Sequence, residues 1–330
     1  MDEFKALVVK EKGEDIIYLV DQVTLDQLSK GEVIIKVAYS SINYKDALAV
    51  KKGGGVIRDY PMIPGIDLSG TVVSSSSDRF IPGQEVLVTG FQVGMTHTGG
   101  LSEYACIPAD WVVPLPKGLS LREAMVIGTA GFTAAISIHT LEKNGMNPND
   151  DIEILVTGAS GGVGSIAIKL LSRSGYKKIN GLCQFEKDKD MVKSLGAAKV
   201  FLPEDILPEK PRPLDKQKFH YVLDVVGGEI SSALLPQIFY GGSMSMCGNA
   251  GGIKLDTTVM HFILRGITLL GIDSVNYPRK SRDEIWAKFA GVWNFMKEAV
   301  VDEVSLNELD DVFLKIQSGL HVGRTIVKIG

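Results

Sequence analysis

Val156-Thr157-Gly158-Ala159-Ser160-Gly161-Gly162-Val163-Gly164 follows directly on the apolar run IEILV and opens directly into an apolar-periodic stretch, VGSIAIKLLSRSG. Glycines let a chain turn tightly and approach a pyrophosphate, and the free N–H groups and dipole of a helix N-terminus favour negative charge. Strand, glycine loop and helix in that order predict a dinucleotide site, whereas a glycine run alone would read equally well as an ordinary turn. Short buried strands and helices continue to alternate after it: INGLCQ, DKDMVKSLG, KVFL, YVLDVVGG, EISSALLPQI and GGSMSMCG. That alternation predicts a doubly wound α/β domain, a parallel sheet with helices on both faces. Within it, the charged and proline-rich segment 202–218 reads as a surface loop.

Upstream the texture differs. FKALVV, DIIYLV, EVIIKVAYS, DLSGTVV, EVLVT and SEYACIP alternate with Gly, Pro, Ser and Asp clusters, which predicts a β-rich domain. Near Leu119 a Ser120-led helix signal opens LREAMVIGTAGFTAAISIHTLEK, and a domain boundary is placed there. Downstream, GITLLGIDSV predicts a strand, Arg282 to Lys297 a helix, and TIVKI a closing strand. A lone terminal strand needs an existing sheet, so TIVKI is expected to return to the first domain. No internal repeat is visible.

The chain has 330 residues, with 35 Lys and Arg against 39 Asp and Glu, a net charge of −4. Such a balance gives no basic surface, so nucleic acid is not expected as a partner. Cys106, Cys183 and Cys247 lie far apart with no CxxC, which excludes a disulfide framework and a zinc ribbon and reads as cytoplasmic. The acidic start MDEFKALVVK lacks the pattern of a secretory signal. Ala124 to Leu141 carries no charge, but Thr129, Thr133, Ser137, His139 and Thr140 interrupt it, and no membrane span is expected.

Cofactor type depends on the corner after the second strand, where an acid grips a ribose 2′-OH and a base a 2′-phosphate. The corner reads Cys183-Gln184-Phe185-Glu186-Lys187-Asp188-Lys189. Glu186 suits a ribose, Lys187 and Lys189 are equally near, and the whole run could equally be a solvated helix start.

Taken together, Ser41-Ile42-Asn43-Tyr44-Lys45-Asp46, Pro61-Met62-Ile63-Pro64-Gly65-Ile66-Asp67-Leu68-Ser69-Gly70, Gly128-Thr129-Ala130-Gly131-Phe132-Thr133-Ala134, the glycine loop and Gly323-Arg324-Thr325 resemble the medium-chain dehydrogenase/reductase superfamily. Within it they are most similar to the zinc-free quinone oxidoreductase branch, and there to the YhdH/YhfP group, which includes acrylyl-CoA reductase. The resemblance implies a GroES-like catalytic domain over 1–122 and 277–330 and a Rossmann domain over 123–276. It implies no zinc: Gly65-Ile66-Asp67 stands where zinc-dependent relatives carry Gly-His-Glu, and Asn43 is a poor ligand near their first ligand position.

Without a metal, conjugate reduction is the easier chemistry, because charge spreads into an enolate that hydrogen bonds and one proton can settle. The resemblance therefore implies an NADPH-dependent reductase of a small conjugated acceptor, acrylyl-CoA or a similar enoyl thioester, with small quinones or a non-catalytic nucleotide-binding role as alternatives. Tyr44 is expected to donate to the carbonyl or contact the cofactor, and Asn43 to orient an amide or carbonyl. Cofactor contacts implied are Tyr44, Thr133, Ser160, Gly161, Gly162, Val163, Gln184, Glu186, Asn249, Ile263 and Ser274, with Lys199 reaching a 2′-phosphate. The group's corner typically reads Ser-Gly-Arg, from which Gln184-Phe185-Glu186 departs. His97 and the loop Lys51–Gly55 read as loop residues. A homodimer is expected through the apolar strand GITLLGI, since an uncovered edge invites pairing.

Overall fold

Alternating apolar residues build the first strands: β1 (Phe4–Lys12) and β2 (Asp15–Val23) form an antiparallel hairpin with Phe4 opposite Val23. The computed structural model describes residues 3–13, 15–210 and 212–330. Met1 and Asp2 of the acidic start, Glu14, and Pro211 of the 202–218 segment lie outside the described residues. The chain divides into two compact units, one running to Thr129 and resuming over Ser274–Gly330, the other spanning Ala130–Asp273.

In the first unit β3 (Val33–Ile42), β4 (Asp67–Ser75), β5 (Glu85–Thr89), β6 (Tyr104–Ile107) and β7 (Val113–Pro114) follow, with helix α1 (Tyr44–Ala49) between β3 and β4. Val33, Ile35 and Val37 of β3 bury one face against Leu68, Val72, Val86 and Val88. Helix α2 (Leu121–Lys143) begins here, and it breaks at Gly128, whose φ of 51° no other residue type adopts readily. It is long and apolar enough to cross a membrane, yet 83% of its apolar window is buried within the protein.

The second unit is a parallel six-stranded sheet in the order β10-β9-β8-β11-β12-β13. Its strands are β8 (Ile154–Thr157), β9 (Ile179–Leu182), β10 (Lys199–Phe201), β11 (Phe219–Asp224), β12 (Ile238–Met246) and β13 (Thr268–Gly271). The connecting helices are α3 (Gly162–Arg173), α4 (Lys189–Ser194), α5 (Pro203–Ile206), α6 (Gly228–Leu234) and α7 (Met260–Arg265). Strand order reverses between β8 and β11, the switch point outside whose carboxyl ends a doubly wound sheet binds nucleotides.

The first unit closes with α8 (Arg279–Phe289), β14 (Val301–Ser305), α9 (Leu309–Gln317) and β15 (Arg324–Lys328). β15 pairs antiparallel with β3, Thr325 opposite Ile42, as the lone terminal strand required. Phe313 and Val312 of α9 join Leu7, Val9, Ile42 and Val327 in a second core. Two expectations are corrected. The helix expected over 282–297 ends at Phe289, where the Gly291 and Trp293 amides turn back to the Lys288 carbonyl. GITLLGIDSV is a strand only over Thr268–Gly271, the four residues with partners on β12.

Candidate active site

In the second unit the glycine loop is tightly wound at the carboxyl end of β8. Gly158 has φ 55°, Gly161 is the N-cap of α3, and the Gly161 amide donates to the Gly158 carbonyl at 3.0 Å. A Cβ on Gly164 would lie 2.2 Å from the Gly158 carbonyl oxygen, so any side chain there would force loop and helix apart. Ser160 is buried, while Gly161, Gly162 and Val163 are half-buried at the helix start. The first turn of any helix has N–H groups without intrahelical acceptors. This cradle, with backbone amides and no side-chain bulk, fits the diphosphate of a dinucleotide.

Two neighbouring loops are stitched to it. Thr157 Oγ1 donates to Asp224 Oδ1 at 2.7 Å and accepts the Val225 amide at 2.9 Å, joining the ends of β8 and β11. The other Asp224 oxygen accepts the Ser231 hydroxyl at 2.5 Å and the Gly227 amide at 3.1 Å. The Gly251 amide donates to the Val226 carbonyl at 2.7 Å, which brings the run Gly248–Gly252, with exposed Asn249, onto the turn after β11. Ile263 is 72% exposed on α7, and Thr133 is buried in α2 with its carbonyl accepting the Ser137 hydroxyl. Asp224 was not singled out in the sequence. An acid closing the strand YVLD just before Gly227-Gly228 was the available signal.

At the ribose corner the Ala159 amide donates to the Leu182 carbonyl at 2.9 Å, fixing the end of β9 beside the loop. Gln184 and Glu186 are exposed there. Lys199, though exposed, does not stand at that corner, and this corrects an expectation: it opens β10 opposite Asn180, at the strand's amino end, and lines a groove with Glu153, Lys178, Lys218, His220 and Phe239. The carboxyl end of β10 is Phe201, whose carbonyl accepts the Cys183 amide at 3.0 Å.

The first unit contains a buried ionic cluster. Asn43 caps α1 and Tyr44 is its first residue, 40% exposed. Asp46 Oδ2 accepts the Asn43 amide at 2.8 Å, and Oδ1 accepts the Ile66 amide at 3.0 Å. Asp67 accepts the Ser41 hydroxyl at 2.6 Å, the Thr129 amide at 2.8 Å, the Thr129 hydroxyl at 2.5 Å and Asn43 Nδ2 at 2.8 Å. Arg324 donates to Asn43 Oδ1 at 3.2 Å, to the Ile42 carbonyl at 3.1 Å, to Ser41 Oγ at 2.8 Å and to the Val126 carbonyl at 3.2 Å. Burial, reinforced by the Asp67 charge, pushes Asp46 up to about 7. Burial also pushes Arg324 below its ordinary value, against the pull of Asp67 and Asp46.

Both ends of the Asn43 amide are therefore engaged inside the protein, so the expected role of orienting a substrate carbonyl is replaced by holding α1 in place. Asp67 and Arg324 came out of the sequence only as motif residues. Ser274, half-buried, presents its carbonyl to Arg282 Nη2 at 3.0 Å, and Arg282 Nη1 reaches the Thr89 carbonyl at 2.9 Å. His97 is buried with both ring nitrogens on backbone carbonyls, of Thr98 and Lys30.

The family model of the alcohol dehydrogenase GroES-like domain matches residues 29–117, and that of zinc-binding dehydrogenases residues 162–297. YhfP of Bacillus subtilis, named for quinone oxidoreduction, is 46% identical over 328 residues, 99% of each chain. Its crystal structure with NAD bound has a TM-score of 0.95 at 45% identity, covering 99% of this chain and all of the other. The chain belongs to the YhdH/YhfP group of the medium-chain dehydrogenase/reductase superfamily. Two further members match at full length. Acrylyl-CoA reductase AcuI of Ruegeria pomeroyi is 41% identical over 329 residues, 99% of each chain. Escherichia coli YhdH, crystallised with bound NADPH, has a TM-score of 0.94 at 42% identity over 98% of this chain and 100% of the other.

The zinc of the wider superfamily does not fit this group member's donor set. Ile66 offers no ligand, both Asp67 oxygens accept protein hydrogen bonds, and the guanidinium of Arg324 stands beside Asn43. Among the described residues no group of three or more His, Cys, Asp or Glu is arranged to hold a metal.

Proposed function

We propose that this protein is a zinc-independent, NADPH-dependent reductase that delivers hydride to the β carbon of a small conjugated acceptor, with acrylyl-CoA or a similar short enoyl thioester as substrate. The observation that carries this reading is the full-length likeness to YhdH with NADPH bound, in a chain whose own glycine loop has the cradle that cofactor requires. The first unit is assigned to catalysis and the second to the cofactor. A reduced nicotinamide supplies a hydride when bound. Ser160 to Val163 would hold its diphosphate on backbone amides, and Asn249, Ile263 and Thr133 would border the rest.

Hydride addition at the β carbon leaves an enolate on the acceptor, and one proton must reach the α carbon or the enolate oxygen. Tyr44 is assigned as the hydrogen-bond and proton donor at Oη, since its phenol projects from the helix start that Asn43 and Asp46 fix. Two copies are proposed to pair along β13, the edge of the parallel sheet, and the protein is proposed to work in the cytoplasm.

Loss of reduced-nicotinamide absorbance with acrylyl-CoA tests the reading, using Tyr44→Phe as control. Turnover with NADPH is expected, and the variant should lose roughly 100-fold in kcat. Turnover of small quinones but not thioesters would favour the activity for which YhfP is named. Binding of NADPH without turnover of either class would leave a nucleotide-binding protein instead.

A further inference from the structure

The ribose corner contains more carboxylates than cations. Glu186 is 73% exposed, Asp188 is buried, and Asp190, Glu204 and Asp205 stand on α4 and α5 close by. Three lysines lie in the same stretch, and the structure separates their roles. Lys187 turns onto the Phe185 ring, its Nζ 5.4 Å from the centroid. Lys193 reaches Asp190 at 3.7 Å, one turn farther along α4. Lys189 alone bonds the acid of the turn itself: its Nζ is 2.8 Å from Glu186 Oε2, and its side chain is only 21% exposed.

We propose that Lys189 decides this chain's cofactor choice, its ammonium neutralising Glu186 so that the corner after β9 admits a 2′-phosphate. The proposal rests on the NADPH reading above and names the residue that makes it work. A 2′-phosphate adds nearly two negative charges where a ribose presents a neutral hydroxyl. Beside an unpaired Glu186, with Glu204 and Asp205 behind, that group would meet mainly like charge. With the ammonium packed in place it meets a cation that also carries free N–H donors, since a lysine has three and one is spent on Glu186. Glu186, Asp205 and Glu204 all hold Lys189 in its charged form, raising it above the ordinary lysine value. Removing Lys189 should leave an acidic corner suited to a ribose diol, the NADH arrangement.

Calorimetric titration with 2′,5′-ADP and with 5′-ADP reads the corner without catalysis. Lys189→Met is expected to weaken 2′,5′-ADP about tenfold or more and 5′-ADP less than twofold, the gap narrowing as salt is raised. Glu186→Gln should strengthen 2′,5′-ADP, and Lys187→Met should move the ratio little. Unfolding midpoints should stay within a few degrees of the parent, since an ion pair at the surface contributes little to stability. An unchanged ratio in Lys189→Met, or an equal shift in Lys187→Met, would overturn the proposal while leaving the nucleotide reading intact. A parent protein that binds neither fragment would sink both.

Discussion

Asp67 and Arg324 face each other at 3.9 Å with both side chains buried, and Ser41 bridges them, donating to the carboxylate at 2.6 Å and accepting from the guanidinium at 2.8 Å. One strand pairing creates the relationship, because β15 enters the sheet beside β3 and sets Arg324 against Ser41 to Asn43. Removing one partner of such a pair strands a charge out of water. Arg324→Met should therefore cost about 3–5 kcal/mol in urea unfolding, and Arg324→Met with Asp67→Asn distinctly less than the sum of the two. Additive costs would mean that the pair acts as two independent residues.

Gly128 covers this pair. A Cβ there would lie 2.6 Å from Arg324 Nη2, 2.6 Å from Asp67 Oδ2 and 2.7 Å from Ser41 Oγ, on a backbone of φ 51°. Gly128→Ala should destabilise by roughly 2–4 kcal/mol, combining overpacking with an unfavourable backbone. A thermal midpoint within a degree or two of the parent would refute this account of the break in α2.

Gly164→Ala probes the other unit. The new Cβ would collide with the Gly158 carbonyl at 2.2 Å, opening the turn that aims the α3 amides. Binding of NADPH, followed by its fluorescence, is expected to fall by at least tenfold. Retained affinity would remove the glycine loop from the cofactor site.

Stability should respond to pH through two groups of opposite sign. Asp46 is pushed up to about 7 by burial and then by Asp67, from an ordinary 3.8. Between those values the folded protein keeps a proton that the unfolded chain releases, so this contribution declines as pH rises. His321, its Nε2 2.8 Å from Thr325 Oγ1, is pushed down to about 4 by burial and then by Arg324, from 6.5. There the unfolded chain takes up the proton, so stability grows as pH rises. His321→Gln should then lose stability from about pH 4 to pH 7 and Asp46→Asn should gain it, the parent being flatter than either. Urea unfolding across that range checks it, and two variants sharing the parent's slope would contradict it.

How far the site was legible depended on how local its signals are. The glycine loop could be read because strand, turn and helix are consecutive, and Tyr44 because it lies in a motif. β14 could not: VDEVS is acid-rich with no buried residue, and it is a strand only because β15 pairs with it. Lys199 misled for a related reason. It lies 13 residues after Glu186 in the chain, but a strand has two ends, and β10 carries Lys199 at the end remote from the corner.

By itself the sequence determined the alternation of buried strands and helices, the phosphate loop and the lack of a histidine ligand at Ile66, since periodicity, glycine placement and residue chemistry are properties of neighbours. Tertiary structure alone decided that Arg324 grips Asn43 and that Gly128 must lack a side chain. Charge and steric interactions act through distances in space, and those distances are set only when strands from opposite ends of the chain pair in one sheet.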